Sequence, residues 1–390
     1  MGSSRPIESV AIVGAGPAGS ALAIRLAGAG FGVTLIERDR FPRQKLCGEF
    51  VSPGALPHFA ELGVAERIES VGGAAIHETR FYEPGGRSVT VPSAWLGSSS
   101  ALSISRAQMD LALLERAVEA GVTVFDGAPL TAVSHADGFV ESIKVKHEGK
   151  EVTVAADLFV DAAGRAKPLT RMVTGAAPPA EKPPYIGFKS HFRPRVSNSG
   201  RCEIFLFDGG YAGWSPIENG HANLCFMVRS EVARERGGHA GRIVDELICQ
   251  NSRAAEMLDG AERVEKWLAV TVSGFGIAEL TPALNVFAVG DAGAFIDPFT
   301  GSGMLMALEG AETLAGVVKG HQEVNSARQV YRSEFRNRFA GRLRTSAFLR
   351  RAAFMPRLAK LAVIAAGSSA GLSEMLARLT RRSGAPLGRL

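Results

Sequence analysis

Apolar positions follow different rhythms in different parts of the chain. Residues 10–13 and 32–36 are short unbroken apolar runs, the pattern of a parallel strand buried on both faces, and residues 17–27 between them read as a helix. Apolar residues at 109, 111, 113, 114, 117 and 118 mark an amphipathic helix that begins near Ser103-Ile-Ser-Arg106, and residues 121–125 read as the next parallel strand. Residues 130–133 and 139–146 look like a hairpin. From 186 onward the period drops to two, over 186–193, 202–207, 211–217 and 221–229, with Gly and Asn at the turns; this predicts an antiparallel sheet apolar on one face. Residues 232–267 are charged and helical, a lid or a brace. A buried strand from Asn285 then leads into a glycine-rich loop and a helix through Val318.

The first strand ends in Gly14-Ala15-Gly16-Pro17-Ala18-Gly19. In a strand–turn–helix of this kind Gly14 permits the tight turn, Gly16 lets the backbone approach a pyrophosphate, and Gly19 lets helix and strand pack closely. The helix then directs its N-terminal amides and the positive end of its dipole at the phosphates. Glu37, followed by Arg38, closes the second strand 18 residues after Gly19, where an acid can hold a ribose 2′-hydroxyl and would repel the 2′-phosphate of NADP. A ligand-free glycine turn would not need the strand, the helix and the terminal acid together. Dinucleotide binding follows.

Composition changes this picture in three places. At 390 residues, 46% apolar and 21% charged, the chain reads as a globular protein of two domains on a shared core. There is no apolar run of the length that spans a bilayer, and no signal-peptide pattern. Cys47, Cys202, Cys225 and Cys249 are widely separated, which argues against a disulfide framework or structural zinc; a reduced, cytoplasmic protein is expected, with no metal site. The net charge of +5 is unevenly spread: residues 341–390 carry ten Lys or Arg against Glu374 alone, a local +9, and the remainder is −4.

Two further motifs carry a resemblance. Lys45-Leu-Cys47-Gly48-Glu49 follows the second strand, and Gly290-Asp291 leads through Pro298-Phe-Thr-Gly301-Ser-Gly303 into a helix. With the glycine turn, these are similar to the FAD-dependent superfamily of p-hydroxybenzoate hydroxylase-like monooxygenases, geranylgeranyl reductases and flavin-dependent halogenases, over residues 9 to about 330. The resemblance implies an α/β fold: a doubly wound, Rossmann-like FAD-binding domain with an inserted antiparallel substrate domain and a helical C-terminus. It divides the chain into FAD-binding segments at 1–80, 101–180 and 273–330, substrate-domain segments at 81–100 and 181–272, and a basic helical region at 331–390.

By the same resemblance FAD is the resident cofactor. Asp291 accepts from ribityl hydroxyls, the loop through Pro298, Gly301 and Gly303 faces the flavin N1 and C2 carbonyl, Arg106 approaches the pyrophosphate, and Lys45, Cys47 and Gly48 pass beside the ring. The turn at Gly164 falls near the adenosine half, and Leu130 is counted among the FAD-binding residues. Cys47 is either a catalytic neighbour of the flavin or a small buried cysteine; Arg106 is either a phosphate ligand or a solvated arginine. Asp161-Ala-Ala-Gly164 departs from the Asp-Gly pair of NADPH-using hydroxylases, which leaves NAD(P)H or a separate flavin reductase open as electron source. Phe188, Phe205, Phe207, Tyr211, Trp214 and Phe226 either line a substrate chamber or pack a core.

The function implied is oxidation or reduction of a hydrophobic small molecule. Placed first is a monooxygenase acting on an aromatic or polyketide-like substrate through a flavin C4a-hydroperoxide shielded by the aromatic sheet. A geranylgeranyl-reductase-like alkene reductase, with Cys47 as proton source, is the alternative. A halogenase stands behind both, because there is no lysine between Lys45 and Lys144 and a single Trp in Gly213-Trp214-Ser-Pro-Ile217. A flavin-binding scaffold without turnover is the non-enzymatic alternative. The tail, where cations alternate with Phe348, Phe354, Leu358, Leu361 and Ile364 and are joined by Arg378, Arg381 and Arg382, is either a solvated helical face or a docking surface for an acidic carrier protein or an anionic membrane. Nucleic acid is not expected as a partner.

Overall fold

The computed structural model describes residues 6–97, 100–176, 182–196, 200–321, 323–355 and 370–380. Leu358, Leu361, Ile364, Arg381 and Arg382 of the tail lie outside them.

A five-stranded parallel sheet orders its strands Val286–Ala288, Leu158–Asp161, Ser9–Val13, Gly32–Ile36 and Thr123–Phe125. The strands come from distant parts of the chain, so this domain is discontinuous in sequence. Ser9–Val13 is central because its apolar run has a use on both faces. On one side Val10 and Ile12 pack with the helices Pro17–Ala27, Arg106–Glu119 and Gly303–Gly320. On the other, Ala11 and Val13 meet Val140, Ile143 and Val145 of a three-stranded sheet. The hairpin expected there gains a third strand, Lys150–Ala155, and Leu130 begins its first.

The second large sheet has eight strands. Tyr185–Arg193, Ala222–Arg229, Gly210–Pro216 and Arg201–Phe207 pair antiparallel in the middle; Glu78–Tyr82 adds in parallel to Arg201–Phe207, and Ser88–Pro92 closes that edge. Its register sorts the side chains. Phe188 pairs with Phe226, Phe226 with Ala212, and Ala212 with Phe205, so these stand on one face. Lys189 pairs with Cys225, Cys225 with Gly213, and Gly213 with Ile204, so these stand on the other.

This sorting gives the aromatic residues, of the two roles open to them, a place in a packed core. Phe188, Phe205, Phe207, Trp214 and Phe226 are buried in one cluster with Ala233, Ile243, Val244, Ala254 and Met257 of the short helices Ser230–Glu235, Ala240–Glu246 and Ser252–Leu258. The helices need an apolar sheet face to cover their own stripes, and the aromatic face is the one available. The 230–258 segment is therefore a brace. Tyr211 stands on the opposite face, toward the FAD-binding domain.

The C-terminal helix Val324–Ala353 packs Tyr331, Phe335 and Phe339 against the same core as Gly303–Gly320, and Arg342 reaches Glu309 with both terminal nitrogens (2.7 and 3.3 Å). Its last turn seats Ala353 and Phe354 among Leu206, Tyr211, Met227 and Val272, on the face of the large sheet that bears Tyr211.

Candidate functional site: the flavin cradle and the loop above it

Three glycines make room where the motifs meet. Gly14 has φ +110°, and a Cβ there would sit 2.4 Å from the Ala162 carbonyl oxygen. At Gly19 it would sit 1.9 Å from the Gly14 oxygen, and at Gly290, with φ +62°, 2.8 Å from the Ala18 side chain. The Gly290-Asp291 turn thus packs directly on the first helix of the glycine turn, more than 270 residues away in sequence. Pro17 opens that helix with Gly16 as its N-cap in extended backbone, so no side chain caps its first amides. Gly301 adopts a left-handed conformation, φ +59°, between the Pro298–Thr300 turn and the helix that starts at Gly303.

A buried chain of charges runs from the second strand to this cradle. Glu37 Oε2 accepts the Ala15 N–H (3.1 Å) and Arg43 Nη2 (3.1 Å), and its Oε1 accepts the Asp39 N–H (3.2 Å). Arg43 Nη1 donates to Asp110 (2.7 Å), and Asp110 in turn takes Nε (2.8 Å) and Nη2 (2.7 Å) of Arg106. Burial opposes the charge on Arg106, but Asp110 outweighs it and raises its pKa well above the usual value. The Arg106 guanidinium lies 3.7 Å from where a Gly16 Cβ would be, faces the Cys47 sulfur and is in electrostatic reach of Asp291. Arg106 is the point at which the glycine turn, the 44–49 loop and the Gly290-Asp291 turn converge. Burial raises the Asp291 carboxyl, with Arg165, Arg106 and Lys167 pulling it back down.

The other expected contacts are distributed differently. Lys45 gives its ammonium to Asp39 (2.9 Å), and Arg38 is largely exposed, with Asp39 at 3.5 Å. Gly164 has φ +71° at the turn after the Leu158–Asp161 strand, and Leu130 is half-buried beside Val133 and Val145. The group His58, Glu61 and Glu312 has metal-like spacing, but Arg25 already occupies His58 and Glu61, and Arg338 occupies Glu312.

Above the cradle, the 44–49 loop is fastened to the sheet by groups the sequence reading passed over. Glu49, with no exposure and a left-handed backbone (φ +56°), receives Lys189 Nζ and the Arg106 N–H (2.8 Å) on Oε1 and pairs with His191 Nε2 (2.7 Å) on Oε2. Lys189 also donates to Gln44 Oε1 (3.0 Å) and the Lys45 carbonyl (3.1 Å). An ammonium has three donors, and all three are used. Burial would raise the Glu49 carboxyl, yet His191 and Lys189 together hold it below its ordinary value. Asn223 Nδ2 anchors the Cys47 carbonyl (3.0 Å), while the Cys47 sulfur accepts the Glu49 N–H (3.4 Å). Lys189 and His191 alternate with Phe188 and Phe192, a pattern that reads as a solvated polar face; the available signal was a lysine and a histidine two apart on one strand.

At the far end of the sheet Asp297 accepts the Tyr211 hydroxyl (2.9 Å) and the Phe299 N–H (2.9 Å) on Oδ1, with Arg350 Nε 3.5 Å from Oδ2. Burial pushes its carboxyl up to about 6.

These residues fit a flavin dinucleotide. A helix N-terminus cleared of side chains suits a pyrophosphate, Glu37 Oε1 retains an acceptor site for a ribose hydroxyl, and a half-buried acid follows Gly290. The sequence model of the FAD binding domain family matches residues 8–325. The chain belongs to that family. FAD is its cofactor, and it is a member of an oxidoreductase family of enzymes. It is 27% identical over 348 residues to a tryptophan 2-halogenase of Chondromyces crocatus, covering 85% of this chain and 65% of that one. It is 28% identical over 342 residues to a digeranylgeranylglycerophospholipid reductase of Methanosarcina mazei, covering 84% and 80%. The fold is also that of the flavin-dependent brominase Bmp2, with a TM-score of 0.80 at 20% identity over 96% of this chain and 93% of that one. The chain thus spans just under two thirds of the length of the halogenase. Among the described residues no helix is long and apolar enough to cross a membrane.

Proposed function

We propose that this flavoprotein is an alkene reductase acting on a hydrophobic, isoprenoid-like chain. The observation that carries the reading is Cys47: it lies in the loop beside the glycine cradle within interaction range of the Arg106 guanidinium, its carbonyl accepts from Asn223 Nδ2, and its sulfur accepts the Glu49 N–H. FAD, when bound and reduced, supplies two electrons as a hydride to one alkene carbon. Cys47 gives its thiol proton to the other carbon, so the double bond gains two hydrogens, and the thiolate regains a proton from water. Arg106 lies beside the sulfur and offsets the charge left on it.

Two observations weigh against the other chemistries. Lys189, the lysine that faces this loop, has no free donor or lone pair to offer a halogenating species. The aromatic residues counted on to shield an oxygen adduct are spent on the brace helices, which removes the reason for placing oxygen chemistry first. The chain also spans more of the reductase (80%) than of the halogenase (65%). Because Asp161-Ala-Ala-Gly164 lacks the hydroxylases' Asp-Gly pair, a separate reductase is proposed as the electron donor.

The test is anaerobic incubation of the dithionite-reduced holoprotein with a geranylgeranyl lipid, read by mass spectrometry as two hydrogens gained per double bond. Cys47→Ala is expected to keep FAD and lose the product. Oxygen-dependent hydroxylation, or undiminished reduction by Cys47→Ala, would overturn the reading.

A further inference from the structure

The outward face of the C-terminal helix carries chemistry that the site does not use. Arg344, Phe348 and Arg351 are exposed at spacings of four and three, a single stripe along the end of Val324–Ala353; Arg336 precedes them, and Met355 is exposed two residues beyond the helix. Phe348 is 67% exposed and Met355 46%, among the most exposed large apolar side chains described. On the inner side, Arg338 and Arg342 are paired with Glu312 and Glu309. No acidic side chain is within ion-pair distance of Arg336, Arg344 or Arg351 among the described residues. The sequence has no Asp or Glu between Glu334 and Glu374. Within that interval Arg357 and Lys360 sit among Leu358, Leu361, Val363 and Ile364. Beyond it, the Ala370–Leu379 helix exposes Met375 (51%) and Arg378.

We propose that this face docks on an anionic lipid bilayer, with Phe348 and Met355 entering the headgroup boundary and Arg336, Arg344 and Arg351 meeting lipid phosphates. Cations interleaved with aromatic and thioether side chains on one helix face are what an interfacial helix requires. A second copy of the chain is a poor occupant, since a two-fold contact would bring unpaired arginines against each other. An acidic protein would satisfy the arginines, but it would leave the exposed Phe348 and Met355 set among them without an apolar partner, which a bilayer supplies. The inner side of the same segment touches the residues that lead into the glycine-rich loop: Arg350 approaches Asp297, and Phe354 packs on Tyr211 with ring centroids 5.8 Å apart. A docked bilayer would thus lie just outside the loop that precedes Gly301 and Gly303. The proposal stands on the helix face alone and does not need the alkene-reductase reading.

The test is co-sedimentation of the full-length holoprotein with vesicles of phosphatidylglycerol or of phosphatidylcholine, at low and at about 0.5 M salt, where the screening length falls below about 5 Å. Binding is expected to the anionic vesicles alone and to weaken in high salt. Each arginine removed should lower the partition about fivefold. Arg344→Glu/Phe348→Ser/Arg351→Glu, made at exposed positions, should keep its FAD content and circular dichroism and lose most binding. Failure of the wild type to pellet with anionic vesicles at low salt would overturn the proposal. So would equal pelleting of the triple variant, capture by an acidic acyl carrier protein without vesicle binding, or a dimer that Phe348→Ser dissociates. Turnover is not part of the readout, so this outcome and that of the reductase assay are separable.

Discussion

The Lys189 ammonium and the Glu49 carboxylate meet where the 44–49 loop packs on the large sheet, with Glu49 at 0% and Lys189 at 2% exposure. One comes from the middle of a strand in the large sheet, the other from the loop that carries Cys47. Two buried charges are costly unless each is fully hydrogen-bonded. Here His191, the Arg106 amide, Gln44 and the Lys45 carbonyl complete the set.

Breaking one side of this pair should cost more than removing both. Lys189→Met leaves Glu49 buried beside a single base and is expected to destabilise by about 3–5 kcal/mol; Lys189→Met/Glu49→Gln should cost less than the two single changes added. Denaturant unfolding of the four proteins gives the cycle. Additive costs would mean that the two groups do not sense each other. Since the folded Glu49 value is depressed, its contribution is present above its ordinary value of 4.5 and is lost as the pH falls through the folded value, a loss that Glu49→Gln should remove.

The aromatic face is expected to be structural. Phe226→Ala should destabilise by about 3–5 kcal/mol, through lost packing on Phe188 (centroids 5.1 Å apart) and Trp267 (5.7 Å). Its KM for any substrate should stay near that of the wild type at temperatures where it is folded. A large KM change with little loss of stability would return this residue to the substrate chamber.

Asp297 supplies a pH signature of opposite sign. Its folded value, about 6, lies above the ordinary 3.8, so protonation favours the folded state and stability is lost as the pH rises between those values. The loss is on the order of 3 kcal/mol when complete. Asp297→Asn can still accept from Tyr211 and Phe299 but does not ionise. The melting temperature of the variant minus that of the wild type should therefore climb from about pH 4 to about pH 6 and then level off. A constant difference would mean that Asp297 does not titrate there.

For the cradle, Asp291→Ala should weaken FAD retention by about 1–3 kcal/mol, the worth of a buried acceptor left out of a hydrogen bond. Flavin released on ultrafiltration measures it. Retention equal to the wild type would take Asp291 out of the ribityl contact.

What the sequence determined by itself was local. The strand, glycine turn and helix of residues 9–27 are encoded in contiguous residues, and only glycine tolerates the conformation at Gly14 or the close approach at Gly19. The two-residue period of 185–229 likewise specified which side chains share a face. It carried no information about what covers each face. Helices from 230–258 took the aromatic side, and the 44–49 loop took the side bearing Lys189, His191 and Asn223. Arg43 and Asp110 were illegible for the same reason: an arginine in a loop and an aspartate in a helix look solvated until folding places them 2.7 Å apart with no water between. Charge pairing inside a protein depends on distance and on the exclusion of solvent, and both belong to the assembled chain.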